Sequence, residues 1–334
     1  MNKKKWLWTV WIALPILTGM AVWIFGRYQI SPSRVINVVY QWITQDPNIN
    51  KADYLVVISI RLSRIILALI IGMGLSVSGV AYQSLFSNPL TTPDILGVAS
   101  GAAFGAALGI LNDMSPWMIQ LVAVLFGVLA VGISVLLSFM KGKQSPIMLV
   151  LSGIVVTSVF SALLSSVKFV ADPQSKLPEI TFWLMGSMSG ASFKNIMFYA
   201  PAIVICSGII YALRWKLNIL ALNEDEAISL GIDLKWLKGI IIVCGTVITA
   251  SSVALCGMIG WVGLLIPHIS RMLLGVNTKM LVPASMSLGA VFMVLVDTLA
   301  RTISSSEIPI GILSSLFGAP IFILILRRTK GALQ

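Results

Sequence analysis

The chain has 334 residues, of which 57% are hydrophobic and only 10% charged, with a mean hydropathy of +0.96 and a formal net charge of +11. No soluble domain could cover a core this apolar with so little polar surface, so the composition predicts an all-α polytopic membrane protein. The positive charge does not mark a nucleic-acid partner, because the basic residues sit between apolar windows and form no cluster with interleaved aromatics.

Lys3 to Lys5 precede an apolar run from Trp6 to Phe25. The run resembles a signal peptide but is long enough to span and lacks a small-residue cleavage site, so it reads as a retained first helix. Windows near the ~20 residues that an apolar helix needs to cross a bilayer run over 6–26, 56–85, 94–112, 116–139, 146–168, 193–213, 238–256, 260–274, 279–304 and 309–327. They predict ten transmembrane helices, the eighth short and kinked or broken at Pro267. An even count puts both termini on one side.

With the N-terminus inside, the inner segments collect Lys3 to Lys5, Lys141, Lys143, Arg214, Lys216, Lys235, Lys238, Arg271, Lys279, Arg327, Arg328 and Lys330, fourteen of 23 basic residues. Both termini are therefore expected in the cytoplasm. The outer segments 28–54 and 169–192 are long enough for short helices of their own. Residues 1–334 read as one transmembrane domain: 1–55 first helix and outer loop, 56–168 first helix group, 169–237 outer loop, sixth helix and an inner polar region, 238–334 second helix group. Both helix groups carry a Gly-rich segment followed by a Pro break, at Asn88-Pro89 and Ile266-Pro267, a faint internal symmetry of the kind transporters show.

The stretch Leu217 to Asp233 holds Glu224, Asp225, Glu226 and Asp233, a third of the 12 acidic residues, and must sit in water. Asn223 can cap a short helix there, Glu226 falls three residues later as in a capping box, and Gly231 is a natural stop. Ala227, Ile228 and Leu230 give that helix an apolar side that needs cover, which points to a docking helix for a cytoplasmic partner. Packing on its own membrane domain is the alternative.

The Gly/Ala/Ser-rich segment from Gly72 to Gly109 allows close helix approach. Within it the polar break SNPLTTPD, at Ser87 to Asp94, needs its backbone satisfied by protein or water, as at the mouth of a pathway. Arg61 and Arg64 share one helix face at the outer end of the second span, with no acid at helical spacing, which suggests a charged partner. Arg301 has Asp297 four residues earlier as a local partner. The single histidine, His268, sits beside Pro267 and reads as structural. Cys206, Cys244 and Cys256 have no metal-ligand spacing, so no metal site is expected. A P-loop is missing, so the chain itself does not bind ATP in that way.

These residues together resemble the FecCD family of permease subunits, which serve ABC importers for iron-siderophore, haem and cobalamin. The resemblance runs from about Arg61 to Arg327, through RLSR (Arg61 to Arg64), GLSVSGVAYQ (Gly74 to Gln83), NPLTTPDILGVASGA (Asn88 to Ala102) and FWLMGSMSG (Phe182 to Gly190). It continues through LNILALNEDEAISLGI (Leu217 to Ile232), IGWVGLLIPHISR (Ile259 to Arg271), DTLAR (Asp297 to Arg301), EIPIGI (Glu307 to Ile312) and GAPIF (Gly318 to Phe322). Ser63, Asn223 and Trp261 stand where the family commonly has Pro, Gly and Phe.

The resemblance implies a ten-helix permease with a cobalamin-importer-permease-like fold in the inner or plasma membrane of a prokaryote. It implies a second permease subunit, identical or homologous, two cytoplasmic ATPase subunits and an extracytoplasmic binding protein, with lipid around them. The chain would be non-catalytic and bind no cofactor directly, ATP being used by the partner subunit. ATPase coupling falls on Leu217, Asn218, Ala221, Leu222, Glu224, Asp225, Glu226, Ala227, Ile228, Leu230 and Gly231. Binding-protein docking falls on Arg61, Arg64 and Arg301, and the pathway or gate on Gln83, Asn88, Pro89, Leu90 and Pro93. The expected substrate is a bulky metal chelate, iron-siderophore first. The competing reading is an ion-coupled secondary transporter with Asp297 as its coupling carboxylate.

Overall fold

In hydrocarbon every backbone N–H and C=O must be satisfied within the protein, which leaves an apolar chain of this kind the helix as its spanning element. The structure, a computed structural model, describes residues 2–139, 146–221, 226, 233–304 and 306–330. Twelve helices appear among them: α1 Asn2–Val22, α2 Pro32–Ile43, α3 Lys51–Leu85, α4 Val98–Leu111, α5 Pro116–Ser138, α6 Pro146–Val170, α7 Lys176–Met185, α8 Phe193–Ala212, α9 Leu234–Cys256, α10 Val262–Leu274, α11 Thr278–Thr302 and α12 Ile310–Lys330. Each of the ten expected windows holds a helix. Six of these (α3, α5, α6, α8, α9 and α11) are long and apolar enough to cross a membrane, while α1, α4, α10 and α12 supply shorter apolar stretches. The segments expected to lie outside hold α2 and α7.

α3 is the axis of the bundle. The Asn50 side chain accepts from the amides of Ala52 and Asp53 at its start, and Leu55–Leu62 is wound as a π-helix. Its small residues let neighbours approach to backbone contact. A Cβ on Gly72 would lie 2.1 Å from the Gly289 carbonyl oxygen of α11, and one on Gly79 would lie 1.9 Å from the Gly263 carbonyl oxygen of α10. No residue but glycine fits those crossings.

Side-chain and backbone bonds identify the two ends of the bundle. At one end Arg61 meets the end of α1, the Ser187 amide donates to Cys256 and the Ile310 amide donates to Gly186. At the other, Arg271 meets Gln83, Ser87 meets Leu220 and Thr278 meets Arg214. Successive spans alternate between these ends, as the ten-span reading requires.

Pro267 does not break the eighth span. α10 runs through it from Val262 to Leu274, and the span is short because Gly257 to Trp261 is irregular and lies inside the bundle. Proline lacks the amide that would bond the carbonyl four residues back. That carbonyl belongs to Gly263, and the Gln83 amide nitrogen reaches it at 3.5 Å from α3. The acidic helix read from Asn223 to Gly231 lies outside the described residues except for Glu226, which is helical and exposed.

Candidate functional site

Two irregular segments meet inside the bundle, about halfway along α3. One is Thr91 to Gly97, which returns from the turn at Asn88 to start α4. The other is Gly257 to Trp261, which joins α9 to α10. Pro93 is buried against Gly263, where a Cβ would sit 2.6 Å from the proline ring. The two segments enclose a cavity of about 110 Å³ lined by Thr92, Asp94, Met258 and Gly260 and walled by Leu75, Thr249 and Ser252. Asp94 is its one ionisable side chain. The Thr249 hydroxyl is buried with no partner among the described residues.

Trp261 closes this region with a positive φ of 70°. A bulky residue there costs about 1–3 kcal/mol and persists only where its surroundings fix it. The α12 backbone supplies that fixation: Gly318 leaves room for the indole, and Phe322 meets it edge-on with centroids 6.1 Å apart. His268 also packs on Phe322, at 5.6 Å, and neither ring nitrogen has a partner among the described residues.

Of the expected pathway residues, Asn88, Pro89 and Leu90 are exposed on the turn beyond α3, where the Asn88 side chain accepts from the Leu90 amide at 2.9 Å. Gln83 is buried instead, its carbonyl oxygen accepting from Arg271 at 2.8 Å. It fastens α3 to α10. Pro93 acts as a wedge between those helices. Asp94, the acid in the cavity, lay in the motif that carried the resemblance without being singled out, because a lone Asp after a proline reads as a turn residue.

The three arginines expected at the outer face are all buried. The Arg61 guanidinium donates to the carbonyls of Trp23, Ile24 and Tyr28, closing the end of α1. Arg64 donates to Asp297 from Nη2 at 2.7 Å and Nε at 3.1 Å, and to Glu307 from Nη1 at 2.8 Å. No acid lies at helical spacing from Arg64, as the sequence reads, and its charged partners are within the chain: they come from α11 and from the loop before α12, more than 230 positions away. Arg301 approaches Asp297 at 3.5 Å, as the four-residue spacing predicted, and donates to the Val22 carbonyl at 3.4 Å. Asp297 therefore sits between two guanidiniums, a poor arrangement for a carboxylate that must bind and release an ion.

On the expected coupling stretch, Leu217 is 1% exposed and packs in the main core, so it cannot touch a partner in this conformation. It belongs to a 3₁₀ turn, Lys216–Ala221. Asn218 accepts from the Thr278 amide at 3.0 Å and thereby ties this turn to the start of α11. Leu222, Glu224, Asp225, Ala227, Ile228, Leu230 and Gly231 lie outside the described residues.

α6 is among the least covered of the long helices. Only 28% of its apolar window is buried, close to the 33% of α5 and α8 and far below the 72% of α9. Ser158, Ser161, Ser165 and Ser166 are exposed on it. Three of these hydroxyls donate to the carbonyl four residues back, Ser158 to Ile154, Ser165 to Ser161 and Ser166 to Ala162, which makes them tolerable at membrane depth. A hydroxyl-bearing face of this kind suits a polar passage or a subunit contact better than lipid tails.

Comparison with known proteins agrees with this architecture. The chain is 39% identical to the molybdate import system permease protein MolB of Haemophilus influenzae, over 96% of this chain and 95% of that protein. It is 39% identical to a probable iron chelatin transport system permease protein of Helicobacter pylori, over 83% of this chain and 84% of that one. Among solved structures it matches, at 38% identity and a TM-score of 0.85, an ABC transporter described as of metal-chelate type in an inward-facing conformation, over 96% of this chain and 98% of that chain. Residues 13–328 match the FecCD transport family. With its helical bundle, paired intramembrane loops and match over nearly its whole length, the chain belongs to the FecCD transport family as a permease subunit of an ABC importer.

Proposed function

We propose that the protein carries a bulky iron chelate, of the siderophore class, from an extracytoplasmic binding protein to the cytoplasm. Asp94 carries this reading: the intramembrane cavity has a carboxylate and no basic side chain among its lining residues. Such a site repels an oxyanion and favours passage of a neutral or cationic chelate, for which the two loops would have to part. The similarity to MolB favours molybdate as the second reading. Reconstitution in vesicles with a cognate ATPase and binding protein separates the two. ATP-dependent uptake of radioactive ferric siderophore, undiminished by excess molybdate, is the expected result; uptake of molybdate alone would overturn the proposal. Uptake without any ATPase, driven by an ion gradient, would revive the secondary-transporter reading.

The exposed hydroxyl face of α6 would meet a second permease subunit, the two together enclosing the passage. Topology follows the basic residues: both termini and the Lys235 end lie in the cytoplasm. Single cysteines at 176 and 226 in a Cys-free background should react with an impermeant thiol reagent from opposite sides, and labelling of both from outside would contradict this.

Two ATPase subunits would dock on the 217–231 stretch, through its acidic helix and not through Leu217. Ile228→Asp or Leu230→Asp should detach the ATPase and leave the permease folded, since a charge in an apolar contact is desolvated without a partner. Normal ATPase co-purification from these variants would place the helix against its own bundle.

Docking of the binding protein at Arg61, Arg64 and Arg301 would have to go through Glu307. At 33% side-chain exposure it is the one acid of the cluster that a partner's carboxylates could displace.

A further inference from the structure

α5 and α9 touch at Gly127 and Ala250, where a glycine Cβ would be 3.4 Å from the alanine methyl, and splay apart toward the Lys235 end. The opening between them is a groove of about 950 Å³, several times the volume of the cavity beside Asp94. Its walls are mostly apolar, from Val128 on α5 to Phe139 just past its end and from Ile242 to Val247 on α9, where Thr246 is the one polar residue, with Lys235 and Lys238 at the mouth. Space remains in it: a Cβ on Gly132 or on Gly239 would meet nothing within 4 Å.

Its dimensions match one leaflet. The twelve residues from Val128 to Phe139 span about 16 Å, half of a hydrocarbon core of about 30 Å. The mouth lies at headgroup depth by an independent mark, since Trp215 and Trp236 are 46% and 56% exposed at the same end. Indoles collect at the membrane–water interface. The Lys216 ammonium lies over both rings, 5.5 and 5.8 Å from their centroids, adding a third cation to the neighbourhood. Among the described residues neither Lys235 nor Lys238 has an ion-pair partner.

From the apolar leaflet-deep groove and the two lysines at its mouth, we infer that the permease binds an anionic phospholipid between α5 and α9, its phosphate on Lys235 and Lys238 and an acyl chain along the groove. An ammonium pair at the interface selects the anionic headgroup over a zwitterionic one. The groove adds the chain, which a free phosphate lacks. The bound lipid would complete the wall formed by Ile242, whose carbonyl is 3.4 Å from the Tyr82 hydroxyl of α3. In this way the lipid would buttress the central helix.

Native mass spectrometry of the full chain in mild detergent tests this, with phosphatidylglycerol, phosphatidylethanolamine and soluble glycerol phosphate as probes. The wild type should retain phosphatidylglycerol over phosphatidylethanolamine, and Lys235→Gln and Lys238→Gln should each lower that retention about fivefold. Gly132→Phe, which fills the groove and leaves the lysines in place, should abolish it; Gly239→Phe serves if that variant does not fold. Retention unchanged in the lysine variants, or equal for the two lipids, overturns the inference. So does competition by glycerol phosphate at the strength of phosphatidylglycerol, which would mark a phosphate site alone. A groove that retains no lipid in the wild type, being covered by another subunit, overturns it equally.

Discussion

Asp297→Ala is expected to destabilise the permease by about 3–5 kcal/mol, the cost of breaking a buried ion pair from one side. The carboxylate is 2% exposed and takes two bonds from Arg64 and a longer contact from Arg301. Without it Arg301 keeps a single long bond to the Val22 carbonyl, and Arg64 keeps only Glu307. Two guanidiniums would then be buried over one remaining acid, in surroundings where water cannot replace the loss. Glu307→Gln should cost much less, about 1 kcal/mol or below, because that carboxylate is partly solvated. Thermal unfolding of the two variants in the same detergent checks the order. Equal destabilisation would mean that Asp297 is not the centre of the cluster. The result also bears on docking: an Arg64→Glu variant places a third acid beside Asp297 and Glu307, so weak binding-protein association by it would report damage to the fold. Glu307→Gln is the cleaner probe, expected to leave the bundle intact while changing the salt dependence of association.

Much of this architecture was legible because membrane helices announce themselves by length and hydropathy alone. Each expected window holds a helix, and segments 28–54 and 169–192 contain the short helices their length allowed. What sequence could not supply was partnership across distance. Arg64 and Asp297 are 233 positions apart, and no periodicity connects them, so Arg64 read as an arginine in search of a partner. Arg301 was legible for the opposite reason, its acid being one helical turn away. The eighth span shows a related limit. Pro267 was the visible irregularity and so was given the break, whereas α10 absorbs it with help from Gln83 and the irregular backbone lies upstream at Gly257 to Trp261. The motif brings Gln83 and Pro93 to the right region but does not show that they fasten α3 to α10, Pro93 lining the cavity as well, because a motif records which residues matter and not which way they face. Leu217 shows the same limit: Lys216 and Asn218 beside it are polar, while its own side chain is core.

The fastening of α3 to α10 is where a single carbon should do most harm. Gly79→Leu is expected to abolish recovery of folded protein. Its Cβ alone would lie 1.9 Å from the Gly263 carbonyl oxygen, backbone against backbone, so room could be made only by parting α3 from α10. Gly263→Ala is milder and more informative. Its methyl would press on the Pro93 ring at 2.6 Å and on the Leu75 carbonyl oxygen at 3.0 Å, an overpacking that costs about 1–3 kcal/mol. Pro93 is the part that can yield, and moving it shifts Thr92 and Asp94 on one wall of the cavity relative to Trp261 on the other. The expected outcome is therefore a permease that still assembles with its ATPase but transports poorly, with uptake falling further than thermal stability. Gly208→Ala is the control, because its Cβ meets nothing within 4 Å and alanine favours the helix. If Gly263→Ala takes up substrate as well as Gly208→Ala does, the two intramembrane loops move independently, and the passage does not depend on the contact between Pro93 and α10.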